Sequence, residues 1–139
     1  MIKMTTITRE PVKRIEMFIH VAELAAENDI VIRFDNNLAT AYWARPQMRM
    51  ISTRPIRNTG YYVSALHELG HILGTHQGPD ASRYHSEIAA WKWAWENALL
   101  WTETADCIMQ RALRGYYTDV EAACLPQKLH EFMEQDRIK

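Results

Sequence analysis

From Thr8 to Asn28, apolar residues fall at helical spacing, with Val12, Ile15, Ile19, Ala22 and Ala26 on one stripe. This predicts a long N-terminal helix, in which His20 reads as a partly exposed helix histidine. The period then shortens. Asp29 to Phe34 carries the β-rich run IVIRF, and Ala39 to Ala44 (ATAYWA) and Met48 to Thr53 (MRMIST) read as a second and third strand. Asn36-Asn37 and Pro46 punctuate them as turns. Helical spacing returns from Gly60 to Leu73, with Gly74 as the stop signal. A polar loop from Thr75 to Asp80 contains Gly78-Pro79, and a further helix is predicted from about Ser82 to Trp101. Thr102 or Thr104 is expected to cap another helical segment towards Leu113, stopped by Gly115. Thr118 with Glu121 looks like a capping box for a last helix, which has to tolerate or kink at Pro126.

The chain has 139 residues, 47% of them hydrophobic, with five Trp and six Tyr, which is a globular composition. Residues 1–139 therefore read as one domain with a core of its own. A formal net charge of −1 supplies no field that would draw nucleic acid or an anionic membrane. Arg45, Arg49, Arg54 and Arg57 are a local basic group, but the overall balance argues against a nucleic-acid partner. No apolar run approaches the ~18–20 residues needed to span a bilayer. Met1 to Pro11 has no apolar stretch of signal-peptide length. The expectation is a soluble, cytoplasmic protein with no membrane partner. Cys107 and Cys124 are too few and too far apart for a disulfide framework or a cysteine metal site, and read as two buried reduced thiols.

The chemistry is concentrated at His67-Glu68-Leu69-Gly70-His71. On a helix, residues i and i+4 stand one above the other, so both imidazoles can reach one ion at ~2.0–2.1 Å. Glu68 is turned ~100° from His67, which lets it reach an attacking water without binding the metal. Val63, Leu66, Ile72 and Leu73 flank the motif, so the helix is expected to be buried. Three ionisable groups on a buried helix are costly unless something pairs with them, and a metal is the economical partner.

The third ligand has to come from a residue beyond the motif. A metzincin-type spacing would need His at 77, where the chain has Gln; His76 falls one residue early. Glu87 shares a helix face with Ala90, Trp91, Ala94 and Ala98. A carboxylate heading an apolar stripe is desolvated and needs a cation. Glu87 is therefore the expected third ligand, with His76 as the alternative, whereas Glu96 should point to solvent.

The HELGH run followed by Glu87, Ala90, Trp93 and Ala94 resembles the ImmA/IrrE-type zincin-like metallopeptidases, which are minimal gluzincins. Their pattern is HELGH, then a Glu with Ala at +3, an aromatic at +6 and Ala at +7. The resemblance covers about residues 30–100. It implies an α+β, zincin-like fold: a small three-stranded sheet packed on the HExxH helix, with an N-terminal helix and C-terminal helices. It also implies Zn²⁺ as cofactor and is compatible with a phage-encoded origin. Trp91 stands where many members carry Asn and where thermolysin-like enzymes carry Asp, which leaves the residue that orients the ligand histidines unidentified. No helix-turn-helix is evident in the chain.

The leading expectation is a zinc peptidase acting on a protein or peptide substrate through metal-activated water. His67, His71 and Glu87 would be the metal ligands and Glu68 the general base. Tyr61, Tyr62, Tyr84 and His85 are candidates for stabilising the oxyanion. The strand Met48–Thr53 could pair with an extended peptide. The alternative is a zinc-containing protein-binding or regulatory module without hydrolytic activity, presenting part of its Trp-rich helix to a partner.

Overall fold

The computed structural model describes residues 12–115, and the expected capping box at Thr118 lies outside them. Among the described residues the chain is α+β, with five α-helices and one three-stranded mixed sheet.

Helix α1 spans Arg14–Glu27. It starts where the Lys13 N–H donates to the Glu16 carboxylate at 3.0 Å, a side-chain cap on an otherwise unsatisfied terminus. The buried stripe is Met17, Val21 and Ala25. The expected stripe through Ile15 and Ile19 is instead turned outward, and those residues are 58% and 44% exposed. The segment is apolar on more than one face, and only contact with the rest of the fold selects which face is buried.

Strand β1 (Val31–Phe34) follows. The expected second strand is corrected by the structure. Asn37 accepts from the Ala39 N–H at 3.0 Å and caps a single helical turn, α2 (Leu38–Ala41). Only Trp43–Arg45 is extended, as β2. A 3-10 turn over Pro46–Met48 leads to β3 (Met50–Thr53). The strand order is β1-β3-β2, with β1 parallel and β2 antiparallel to β3. Ile51 pairs with Ile32 on one side and Ala44 on the other, and is fully buried. The strand at 50–53 is therefore the centre of the sheet, with both flanks hydrogen-bonded, and cannot receive a peptide as an edge does. The edges of the sheet are β1 and β2.

Helix α3 (Thr59–Leu73) is the hub of the fold and packs against α1, β2, β3 and two later helices. Asn58 caps it by accepting from the Tyr61 N–H at 2.9 Å. Its middle, Ala65 to Gly70, is buried without interruption. Helix α4 spans Arg83–Asn97 from a Ser82 cap. It ends four residues before the expected limit at Trp101. The Thr102 hydroxyl then caps α5 (Glu103–Arg114) by accepting from the Ala105 N–H at 3.2 Å. Ala105, Met109 and Leu113 bury one face of α5, and Cys107, expected to be buried, is instead exposed off that face. Trp91, Trp95 and Trp101 are core residues. Glu96 is exposed as expected, paired with the buried Lys92 at 2.7 Å.

Candidate metal centre

His67 and His71 are one turn apart on α3, their ring centroids 4.6 Å apart. Helix α4 crosses this turn and brings Glu87 against both rings. One carboxylate oxygen lies 3.2 Å from His67 Nε2 and the other 2.9 Å from His71 Nε2. The ligand atoms of the three residues all lie within 4.8 Å of one another, and the group could hold a metal ion. The edge of a tetrahedron with ~2.0–2.1 Å bonds is roughly 3.3 Å, so the two imidazole–carboxylate separations suit a shared cation.

The crossing is made possible by glycine. A Cβ on Gly70 would lie 2.4 Å from the Ala90 carbonyl oxygen, so α3 and α4 touch backbone to backbone at this point. Gly74 caps α3 in an extended conformation, not a left-handed one. Its own Cβ would meet the Gly70 carbonyl oxygen at 2.6 Å and the Ala89 carbonyl oxygen at 3.3 Å. Space, not backbone freedom, is what Gly74 provides.

Electrostatics within the cluster follow from burial and from Glu87. Burial pulls the His67 imidazole down, and the Glu87 carboxylate only partly opposes it. Burial also acts to lower His71, but the hydrogen bond and charge of Glu87, with a contribution from Gln77, more than offset this and raise it. Burial pushes Glu87 up, yet hydrogen bonds from both histidines dominate and hold it well below the usual carboxylate range. A carboxylate kept ionised between two imidazoles is an anionic ligand set. Glu68 is 8% exposed and has no such hydrogen-bonding partner among the described residues; burial pushes its carboxyl up to about 7, with His71 opposing and Glu87 adding to the rise.

The four residues open onto a cleft of about 400 Å³. One wall is β2 and its neighbours, with Tyr42, Trp43 and Pro46; the other carries Gln77, Gly78 and Arg83. Of the expected oxyanion candidates, none lines this cleft. Tyr62 is fully buried, and its hydroxyl accepts from the Leu99 N–H at 2.9 Å and bonds His20 Nδ1 at 2.7 Å. Tyr61 lies under the Arg54 guanidinium, 4.6 Å from its ring centroid. His85 bonds the Ser82 hydroxyl at 2.8 Å and stacks on His76. His76 is an exposed residue at φ 56°, bonded to the Thr75 hydroxyl at 2.9 Å, and is not part of the cluster.

Two residues contact the histidines in ways that sequence reasoning missed. The Trp91 ring stacks on His67 at 4.2 Å and 20°, where a hydrogen-bond acceptor would have been expected. His67 Nδ1 is buried and has no hydrogen-bond partner among the described residues. Gln77, noted only for not being a histidine, approaches His71 Nδ1 at 3.1 Å. The periodicity of a loop residue carries no signal for such a contact.

No family model, curated protein or solved structure matches this chain. No helix among the described residues is long and apolar enough to cross a membrane.

Proposed function

We propose that the protein is a zinc-dependent peptidase of the zincin type. The observation that carries this reading is the convergence of His67 Nε2, His71 Nε2 and the Glu87 carboxylate, with Glu68 beside them on one cleft. Two imidazoles and a carboxylate are the donor set of a catalytic zinc site, which keeps a position open for chemistry. When bound, the metal supplies Lewis acidity, polarising a carbonyl and easing the ionisation of water.

The remaining roles belong to the chain. Glu68 is not among the three residues whose ligand atoms converge, and on the helix it is turned ~100° from His67. Its carboxyl near neutrality suits a group that takes a proton from the attacking water and returns it to the leaving amine. Arg83, on the cleft wall, carries the charge that would stabilise a developing oxyanion. The edge strand β2 borders the cleft and can add an extended peptide as a further strand. That geometry favours a peptide over a compact small molecule.

The test is hydrolysis of a broad peptide library by the zinc-loaded full chain and by Glu68→Gln. The variant is expected to keep its metal and lose ~10²–10⁴-fold in turnover. Wild-type protein that binds zinc and cleaves nothing would instead favour the binding-module alternative.

A further inference from the structure

The loop between α3 and α4 doubles back on itself. His76 adopts φ 56° and Gly78 φ 125°, both in the left-handed region, and between them the Gln77 side chain is carried back to α3. Its amide makes four contacts. Nε2 lies 2.9 Å from the Thr75 carbonyl oxygen and 2.9 Å from the Ser86 carbonyl oxygen. Oε1 lies 2.7 Å from the Ser86 hydroxyl and 3.1 Å from His71 Nδ1.

These contacts leave one chemical assignment. Two backbone carbonyls can only accept, so they require the amide nitrogen, and the oxygen is left facing Ser86 and His71. An amide oxygen carries no proton. His71 Nδ1, which also lies 3.4 Å from the Ser86 hydroxyl, must therefore donate; Nε2 faces Glu87 and the cleft, donating to the Glu87 carboxylate while protonated and offering its lone pair to a metal once that proton is lost. The two metal-facing histidines thus differ: His71 is held by an acceptor, whereas His67 has a stacked indole and, among the described residues, no partner at Nδ1.

We propose that Gln77 is the positioning residue of the metal centre: its Oε1 fixes the tautomer and ring orientation of His71, and the bonds of its Nε2 and of Ser86 hold Oε1 in place. This rests on the metal-centre reading above. Acceptors that hold a ligand imidazole in this way typically contribute 10–100-fold in metal affinity.

The experiment is zinc titration of the full chain against a competing chelator, together with ¹⁵N–¹H spectra of the histidine rings. Gln77→Leu removes the acceptor and the brace together, and the ring spectra separate the two, because only loss of the acceptor releases the His71 Nδ1 proton. The expected result is a ~10–100-fold loss of zinc affinity in Gln77→Leu. The wild-type spectrum should show a proton on His71 Nδ1, and that signal should shift or be lost to exchange in Gln77→Leu. If Gln77 merely braced the loop, the His71 Nδ1 signal would be the same in the wild type and in Gln77→Leu, and that outcome overturns the proposal. Wild-type affinity in Gln77→Leu also overturns it. If the wild-type chain binds no zinc at all, the metal reading itself has failed and the proposal falls with it, a result distinguishable from the other two before any variant is compared.

Discussion

Gly70 of α3 meets Ala90 of α4 with so little space that a Cβ on Gly70 would sit 2.4 Å from the Ala90 carbonyl oxygen. The same crossing sets Glu87, one turn earlier on α4, against His67 and His71. Glycine inside the HELGH run is thus a packing requirement of the metal centre.

Gly70→Ala should therefore damage stability and site together. Backbone is the obstacle, so the helices have to separate, at a cost of about 1–3 kcal/mol or more, as for overpacked cores. Denaturant unfolding should show the loss. Metal affinity should fall with it, because moving α4 carries Glu87 away. A variant with lowered stability and unchanged affinity would show that the helix crossing does not set the ligand geometry.

Metal content should be one zinc per chain in the wild type. His67→Ala and His71→Ala should each lose most of it, since each removes a converging nitrogen. Glu87→Gln should weaken binding far more than His76→Ala, because the His76 ring bonds Thr75 and stacks on His85 outside the cluster. Elemental analysis of the four variants decides this. The opposite ranking of the last two would remove Glu87 from the ligand set.

Glu68 makes the metal-stripped protein pH-sensitive. Its carboxyl is pushed up by burial from 4.5 to about 7, so the folded chain holds a proton that the unfolded chain releases. The native state therefore binds more protons across that window, and stability falls as pH rises from 4.5 towards 7. At ~1.4 kcal/mol per unit the full effect is about 3 kcal/mol. His71, whose raised value adds a slope of the same sign, is present in parent and variant, and Glu68 is the smallest cause of its rise. Glu68→Gln should match the parent at about pH 4 and exceed its stability at about pH 8. Urea unfolding across that range should show the two curves diverging; parallel curves would mean that Glu68 is not desolvated.

Tyr62 separates stability from chemistry. Its hydroxyl joins His20 on α1 to the Leu99 backbone after α4, away from the cleft. Tyr62→Phe leaves a partly buried N–H unpaired and should cost about 1–3 kcal/mol. Zinc affinity and any hydrolysis should be unchanged. A selective loss of turnover, with the melting temperature retained, would return Tyr62 to the oxyanion role considered from the sequence.

The clustered part of the site was legible in the chain because it depends on local geometry. His67 and His71 are one helical turn apart, and any α-helix puts them on one face. Glu87 was legible for a different reason: a carboxylate at the head of an apolar stripe has to be paired. The central position of Met50–Thr53 in the sheet was not, since strand order depends on which segments meet in space. Asn37 turned an apparent strand at 39–44 into a capped helical turn followed by a shorter strand, because a side-chain cap competes with alternation. The buried stripe of α1 was chosen by α3 from two apolar rows that periodicity alone ranks equally. Gln77 is the clearest case. The loop residue acquires its role only where His76 and Gly78 reverse the chain and Ser86 on α4 supplies the carbonyl that orients its amide. Periodicity and motif spacing report contacts within a single element; the orientation of a side chain between two elements is decided by how they pack.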